Sequence, residues 1–448
     1  DGDVIQLAAE TYFEGDEIDT DGKAITLRGA LNKAGEPLSV LDGAGEHRVL
    51  LCIYQPGGAT SFENLVIQNG YSSSVFSSSD GGGMYISSTT PILTNCTFTG
   101  NTARGYGGGL YCLKASPTLT NCTFTGNFSD DGGGGMCNDL YSYPTLVNCT
   151  FTNNSADSYG GGGMYNRATS SPYLADCTFE NNSAVEDAGG GMRNYGSGPT
   201  LVDCAFTGNS AVSAGGGMYN FAATPALTGC SFMDNSADEG GGMKNNSSTP
   251  TLTDCTFTEN SAEYGGGMNN ISSSPTLNDC TFTSNSADSG GGMWNGDASS
   301  SALTNCTFTE NSADYAGGGM WNGSSSSPAL TGCTFMDNSC NYFGGGMFND
   351  NSSPTLSNST FANNSAGLGG GMYNDRSSPT LTNCTFTSNP AEARGGGMYN
   401  GFSSPTLENC SFVSNSAEFD GGGMYGESSS PSLADCTFAG NLARSGGG

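Results

Sequence analysis

A four-residue motif, Asn-Cys-Thr-Phe or a close variant of it, recurs along most of this chain every 25 to 28 residues. Tandem repetition at a period of this size makes each repeat one supersecondary unit, which buries its apolar side against its neighbours and cannot fold alone. The cysteine position of the motif falls at Cys96, Cys122, Cys149, Cys177, Cys204, Cys230, Cys255, Cys280, Cys306, Cys333, Cys384, Cys410 and Cys436, and Ser359 replaces it once.

The apolar residues within one repeat decide the kind of unit. Between Ser273 and Asn295 they are Leu277, Cys280, Phe282 and Met293, a spacing that no helical face produces. Strand alternation places these four side chains inside, and it places the threonines and the residue after the methionine outside. Glycine triplets before the methionine supply tight corners. The pattern predicts an all-β protein, a right-handed parallel β-helix (β-solenoid) with three short strands per rung.

The first part of the chain follows the repeat less closely. We read residues 1–80 as about three irregular rungs and residues 81–448 as fourteen regular rungs of one continuous domain. About seventeen rungs at ~4.8 Å each predict a rod on the order of 80 Å long.

Charge and composition exclude several classes of partner. Twelve basic residues against 42 acidic ones give a formal net charge of −30, which opposes binding to nucleic acid or to an anionic membrane surface. No apolar run approaches the ~18 residues that a membrane span needs, so we expect no direct membrane insertion. A composition low in Lys and Arg and rich in Gly, Ser, Thr and Asn is typical of an extracellular or cell-surface protein, although the chain as given shows no export signal.

Two motifs resemble a known group of proteins. The Phe-x-x-Asn and Gly-Gly-Gly-Met motifs, as at Phe257 to Asn260, are similar to the paired motifs of the chlamydial polymorphic outer-membrane-protein repeats and of related β-helix surface proteins. The resemblance covers about residues 80–448. The opening Gly2 to Leu7 is similar to the first rung of pectate-lyase-like domains. This resemblance implies a secreted or surface protein with an adhesive or structural use.

The cysteines form one inward column, for which we favour packing as buried thiols. Identical positions on neighbouring strands hold their Cβ atoms farther apart than the ~3.8 Å of a disulfide, and a linear column does not converge on a metal. Thr-x-Thr pairs on the outer face resemble ice-binding solenoids, but they also fit the ordinary preference of threonine for strands.

The residue after the methionine is aromatic in ten rungs, which predicts an exposed column for contact with glycans or with other surface proteins. The alternative is that the rings only stack on one another. The column consists of Tyr85, Tyr111, Tyr165, Tyr219, Trp294, Trp321, Phe348, Tyr373, Tyr399 and Tyr425.

Carboxylates recur after the Asn-Ser-Ala segment. Stacked one strand apart they repel each other, and Ca²⁺ between rungs would relieve that repulsion, although solvated charges are the simpler interpretation. Ca²⁺ is the one cofactor that the pattern suggests. The candidate ligands are Asp157, Asp238, Glu263, Asp288 and Asp314, and Glu392 and Glu418 follow in later rungs.

No catalytic constellation interrupts the repeat, and the one histidine, His47, lies in the irregular region without evident partners. We therefore predict a protein that is not an enzyme. Both ends of the sequence fall inside a rung, and open β-edges invite end-to-end self-association. The leading hypothesis is a subunit of a head-to-tail surface filament or matrix. The alternatives are an adhesin or glycan-binding module using the aromatic column, then ice binding, then a polysaccharide lyase.

Overall fold

The protein is described by a computed structural model that covers residues 2–13, 15–54, 60–73 and 79–447. Residues 1–226 and 227–448 form two compact units. The described residues contain strands, turns and isolated bridges but no helix. Each unit winds as a right-handed parallel β-helix, which confirms the predicted fold class.

Three sheets run along each unit, named here by the residue that their strands turn inward. The Leu sheet comes first in each rung, and its strand Ala226–Thr228 falls at the boundary of the units. Its strands are Asp3–Gln6, Ile25–Arg28, Ser61–Glu63, Ile92–Thr94, Thr118–Thr120, Thr145–Val147, Tyr173–Ala175, Thr200–Val202, then Ala226–Thr228, Thr251–Thr253, Thr276–Asn278, Ala302–Thr304, Ala329–Thr331, Thr355–Ser357, Thr380–Thr382, Thr406–Glu408 and Ser432–Ala434.

The Phe sheet follows after a two-residue turn that contains the motif cysteine, as Asp279 and Cys280 do between Thr276–Asn278 and Thr281–Thr283. Its strands in the first unit are Thr11–Phe13, Ser39–Asp42, Leu65–Gln68, Thr97–Thr99, Thr123–Thr125, Thr150–Thr152, Thr178–Glu180 and Ala205–Thr207. Those in the second unit are Ser231–Met233, Thr256–Thr258, Thr281–Thr283, Thr307–Thr309, Thr334–Met336, Thr360–Ala362, Thr385–Thr387, Ser411–Val413 and Thr437–Ala439.

The Met sheet closes each rung after the glycine triplet. Its strands in the first unit are Ile18–Asp19, Leu50–Ile53, Met84–Ser87, Leu110–Leu113, Met136–Asp139, Met164–Arg167, Met192–Tyr195 and Met218–Phe221. Those in the second unit are Met243–Asn246, Met268–Ile271, Met293–Gly296, Met320–Gly323, Met347–Asp350, Met372–Asp375, Met398–Gly401 and Met424–Glu427. Eight strands per unit give about sixteen turns rather than the seventeen predicted, because the described part of the last rung adds no strand to this sheet.

A fourth set of short strands, which the sequence reading missed, lies between the Phe and Met sheets. We call them the Ala strands, because most of them place an alanine inward. They are Tyr71–Ser72, Thr102–Ala103, Phe128–Ser129, Ser155–Ala156, Ser183–Ala184 and Ser210–Ala211 in the first unit, and Ser261–Tyr264, Ser286–Ser289, Ser312–Ala316, Ser339–Cys340, Ala366–Leu368, Pro390–Arg394 and Ser416–Ala417 in the second.

The core consists of in-register columns of identical side chains. Within the second unit, for example, Phe282 and Phe308 are fully buried and stack with ring centroids 4.7 Å apart and planes 3° apart. The motif cysteines form a buried column except Cys436, which is partly exposed, and the described cysteines form no disulfide. Their thiols donate to backbone carbonyls, as Cys306 Sγ does to Thr304 O at 3.4 Å.

Two buried asparagine columns supply polar connections between rungs. One is the last residue of Phe-x-x-Asn, where Asn311 Nδ2 donates to Asn338 Oδ1 at 2.9 Å and to Phe282 O at 2.9 Å. The other lies two residues after the methionine, where Asn322 Nδ2 donates to Asn349 Oδ1 at 2.9 Å. Each amide therefore satisfies its neighbour, which allows these polar side chains to be fully buried.

The glycine triplet is required by the close approach of rungs. A Cβ added to Gly318 would lie 2.3 Å from the carbonyl oxygen of Ser339 and 2.5 Å from that of Gly345, both in the next rung. No side chain fits at this middle position, and Gly317 before it has a φ of +67°.

Candidate functional site

The outer surface of the Met sheet in the second unit carries a connected group of aromatic rings. Because the methionine and the asparagine two residues later both point inward, the residue between them points outward. We define the aromatic face as ten rings, which come from this outward position and from the segment just before the glycine triplet: Tyr264, Trp294, Tyr315, Trp321, Tyr342, Phe343, Phe348, Tyr373, Tyr399 and Tyr425.

Two tryptophans begin the column of the aromatic face. The indoles of Trp294 and Trp321 are parallel to within 4°, with centroids 4.7 Å apart. Each indole folds over the glycine two residues later in its own strand, since a Cβ added to Gly296 would lie 1.9 Å from Cη2 of Trp294, and one added to Gly323 would lie 2.0 Å from Cη2 of Trp321. The glycine of each Trp-Asn-Gly sequence therefore leaves space for the indole, which a side chain at that position would fill.

Tyrosines and a phenylalanine continue the column beyond the tryptophans. Phe348 and Tyr373 lie 5.3 Å apart, Tyr373 and Tyr399 stack at 4.6 Å and 7°, and Tyr399 and Tyr425 lie 5.1 Å apart. Stacking buries part of the column, so that Phe348 is 8% exposed and Tyr399 4%.

The expectation of an exposed column is therefore wrong at several positions, because the side chains of neighbouring rungs cover these rings. Phe348 and Tyr399 in the second unit and Tyr111 and Tyr165 in the first are buried, whereas the other six rings of the column are partly exposed.

The most exposed rings of the aromatic face belong instead to the segment just before the glycine triplet, where two of them lie in Ala strands. Tyr264, Tyr315 and Tyr342 expose 38%, 56% and 58% of their surface. Tyr264 meets the edge of Trp294 at 6.3 Å, and Phe343 connects Tyr315 at 5.6 Å to Tyr373 at 5.1 Å. The sequence reading missed this row, although Tyr or Phe just before Gly-Gly-Gly or Ala-Gly-Gly-Gly was a signal that could have found it.

Carboxylates border the aromatic face. The strands that carry Phe348 and Tyr373 end in Asp350 and Asp375, which are paired in register, and Tyr399 Oη donates to Glu427 Oε2 at 2.6 Å. Burial, followed by the charges of Asp375 and Glu427, raises the pKa of Tyr373 to about 12. A hydrogen bond with Glu263 and the charge of that carboxylate raise the pKa of Tyr264. The electrostatic potential at the rings is therefore negative.

In the first unit, arginine side chains cover tyrosine rings at and beside the corresponding position. Arg48 lies over Tyr85 at 5.1 Å, Arg167 over Tyr106 at 4.5 Å, and Arg193 between Tyr165 and Tyr219 at 5.6 and 5.3 Å. These cations are held by carboxylates.

The ion pairs of the first unit are Arg48 Nη1 with Glu17 Oε2 at 2.7 Å, Arg167 Nε with Asp139 Oδ1 at 3.4 Å, and Arg193 with Asp187. Asp139 Oδ2 also accepts from Tyr111 Oη at 2.9 Å. The network occupies ring faces that a ligand would need, and sequence reasoning did not find it because it joins residues of different rungs.

Four of the predicted Ca²⁺ ligands lie on successive rungs of the second unit, and the fifth lies in the first unit. Asp238, Glu263, Asp288 and Asp314 are exposed in the second unit, and Asp157 is half-buried in the first. Burial and the charges of Glu186 and Asp130 raise the pKa of Asp157. Among the residues that the structure describes, no three His, Cys, Asp or Glu side chains converge to hold a metal ion. Ca²⁺ binding stays a prediction.

His47 has closer polar neighbours than the sequence suggested. Its Nδ1 lies 2.8 Å from Arg48 O, and it lines a cavity of about 340 Å³ together with Asp16, Glu17, Glu46 and Arg48. The pattern of the irregular rungs gave no indication of this cavity, because its residues come from three turns.

Comparison with known proteins identifies the family. The sequence matches the family described as right handed beta helix region over residues 51–185, 160–308, 280–403 and 348–446. The matches cover most of the chain, and the protein belongs to this family. No curated protein matches the sequence, so the resemblance to chlamydial surface repeats stays a prediction.

Solved structures with a similar winding share little sequence with the chain. The A-module of a mannuronan C-5 epimerase of Azotobacter vinelandii is 10% identical, over 81% of this chain and 91% of its own, at a TM-score of 0.26. A mannuronic acid specific polysaccharide family 6 lyase from human gut microbiota is 12% identical, over 85% of this chain and 81% of its own, at a TM-score of 0.30. The catalytic domain of an α-1,3-glucanase is 9% identical, over 94% of this chain and 64% of its own, at a TM-score of 0.17. At these identities the likeness concerns the fold alone.

One prediction from the sequence is corrected by these comparisons. The three similar structures are a polysaccharide epimerase, a lyase and a glucanase, all of them enzymes. This finding contradicts the prediction that the chain is not an enzyme, because that prediction treated a β-helical repeat as evidence against catalysis, and enzymes have this winding.

Throughout the described ranges, no helix is long and apolar enough to cross a bilayer.

Proposed function

We propose that the protein is an extracellular glycan-binding β-helix, and that the aromatic face of residues 227–448 contacts the sugar rings. The observation that carries the proposal is the Trp294 and Trp321 pair above Gly296 and Gly323, bordered by the exposed ring of Tyr264. A connected group of partly exposed rings on a protein surface marks a contact site.

The mixture of groups on this surface fits a sugar. A pyranose ring has an apolar face of C–H groups and a rim of hydroxyls, so it needs aromatic rings together with nearby hydrogen-bond acceptors. Glu427 and Asp375 supply such acceptors beside Tyr399 and Tyr373. A binding site of this kind is apolar with a few placed polar groups.

The difference between the two units supports placing the site in the second. In the first unit Arg48, Arg167 and Arg193 lie over the tyrosine rings. In the second unit such a contact on the aromatic face is made by Arg394, which lies over Tyr425 at 5.2 Å, while the two indoles have none among the described residues. The two indoles are therefore available to a ligand.

Calorimetric titration with hexasaccharides of β-linked glucose and of β-linked N-acetylglucosamine tests the proposal. We expect the double variant Trp294→Ala/Trp321→Ala to bind at least tenfold more weakly, about 1.4 kcal/mol. Tyr173→Ala is the matched control, since this ring is 41% exposed but lies on the Leu sheet. Absence of binding to neutral and charged hexasaccharides alike, or equal losses in both variants, contradicts the proposal.

The remaining hypotheses stay predictions from the sequence. End-to-end assembly into a surface filament is checked by electron microscopy of the purified chain, and isolated particles at high concentration would contradict it. Ice binding is checked by measuring thermal hysteresis.

A further inference from the structure

The charge of the second unit restricts which glycan the aromatic face can bind. Residues 227–448 contain twenty Asp and Glu and four Lys and Arg, a formal net charge of −16. An acidic surface of this strength repels polyanions and attracts cations over about a Debye length, ~10 Å at 0.1 M salt.

Every basic residue of this unit is already paired with a carboxylate. Lys244 pairs with Glu239 and its side chain is 2% exposed. Arg376 Nη1 lies 3.3 Å from Asp375 Oδ2, Arg394 Nε lies 3.0 Å from Asp420 Oδ2, and Arg444 Nη2 lies 3.5 Å from Glu418 Oε1. The unit therefore offers no unpaired cation to the carboxylate of an acidic sugar.

Carboxylates, in contrast, lie beside the rings. Asp350 is the register partner of Gly323, the residue that lies under the Trp321 indole, and Asp375 is the register partner of Asp350. At this outward position of the Met sheet, the two rungs with tryptophans carry glycine, and the next two rungs carry Asp350 and Asp375. An ammonium group next to an aromatic ring and a carboxylate gains both cation–π attraction and a charge-assisted hydrogen bond.

We infer that the ligand of the aromatic face is a glycan with protonated amino groups, a polymer of glucosamine type, whose sugar rings pack on Trp294 and Trp321 and whose ammonium groups pair with Asp350 and Asp375. The inference rests on the proposed glycan binding and adds the class of ligand. A uronate polymer would place its charges against Asp350 and against Asp375, whose neighbouring cation Arg376 is already paired with it, and we expect this polymer to bind more weakly.

The experiment compares three hexasaccharides, of glucosamine, of N-acetylglucosamine and of a hexuronate, with the full chain at pH 6, where the amines are protonated. We expect the amine form to bind at least tenfold more tightly than the acetylated form at 0.05 M salt. The preference should fall below threefold at 0.5 M salt, because screening removes the ionic contribution and leaves the ring contacts.

Variants separate local recognition from general attraction to an acidic protein. Asp350→Asn/Asp375→Asn should abolish the preference for the amine and leave binding of the acetylated form unchanged. The matched control is Glu259→Gln/Glu310→Gln, which removes the same charge from two exposed turns after the Phe sheet. Equal urea midpoints of all three proteins establish that each is folded.

The outcomes are distinct. Equal affinity for the amine and acetylated forms, tighter binding of the hexuronate, or the same loss in both double variants overturns the inference while glycan binding stands. Binding of none of the three hexasaccharides overturns the proposed function itself. Loss of the amine preference in the aspartate variant alone supports the inference.

Discussion

Removal of one buried asparagine amide should destabilise the second unit strongly. Asn338 is fully buried, and its Nδ2 donates to Phe308 O at 2.9 Å and to Asn364 Oδ1 at 2.8 Å. Its Oδ1 accepts from the backbone N of Asn311 at 3.0 Å and from Asn311 Nδ2 at 2.9 Å. Asn338→Ala therefore removes four hydrogen bonds and leaves at least two buried polar groups without these partners.

The expected cost follows from those groups. A buried donor or acceptor that loses its partner costs about 1–3 kcal/mol, so Asn338→Ala should lower the free energy of unfolding by about 2–5 kcal/mol. Asn338→Asp keeps the size of the side chain but removes both donors and adds a buried charge, and it should cost at least as much as the alanine. A cavity alone would predict the opposite order.

Urea unfolding followed by far-UV circular dichroism measures the change, and hydrogen exchange of the amides in neighbouring rungs measures its extent, since stability in a repeat protein is carried by contacts between neighbours. Asn341→Ala is the control, because this asparagine is exposed and its Nδ2 is 3.4 Å from Asp314 Oδ1. A shift below ~0.5 kcal/mol for Asn338→Ala, the range of ordinary surface substitutions, would refute the reasoning.

Three further perturbations test other parts of the structure. Gly318→Ala should lower the free energy of unfolding by several kcal/mol or prevent folding, because the added Cβ would lie 2.3 Å from Ser339 O. Gly426→Ala is the control and should be tolerated, since its Cβ would lie 3.4 Å from Ser429 Cβ. Equal urea midpoints of the two variants would contradict this prediction. The neighbouring thiol of Cys122 and then burial raise the pKa of Cys149 to about 12, from an ordinary value of 9.0. The unfolded thiol ionises first, so stability is full below about pH 9 and falls as pH rises towards 12, by up to about 1.4 kcal/mol per pH unit. Urea midpoints between pH 8 and 11 check this against Cys149→Ser, which should show a shallower decline. Gly296→Ala should displace the Trp294 indole and weaken glycan binding without unfolding the protein; unchanged affinity would show that the position of the ring does not matter.

Most of the fold could be predicted from the sequence, and particular residues show why. Leu277, Cys280, Phe282 and Met293 recur at fixed offsets and are fully buried in the structure, since strand alternation and the repeat period together decide which side chains point inward. The segment Phe62 to Ile67, which belongs to the predicted irregular rungs, forms successive strands of the Leu and Phe sheets. The Ala strands escaped prediction because two-residue strands such as Ser183–Ala184 are too short to show alternation.

The tertiary structure decided which outward residues can form a site. The sequence places Tyr165 and Trp294 at the same position of the repeat, yet Arg193 lies over the ring of Tyr165, while Gly296 leaves room for the indole of Trp294. It also decided that Tyr264, at a different offset, meets Trp294. An inward side chain contacts the equivalent side chains of the adjacent rungs, and these can be identified from the repeat. An outward side chain takes its surroundings from whatever residues occupy the adjacent rungs and turns, and these vary from rung to rung.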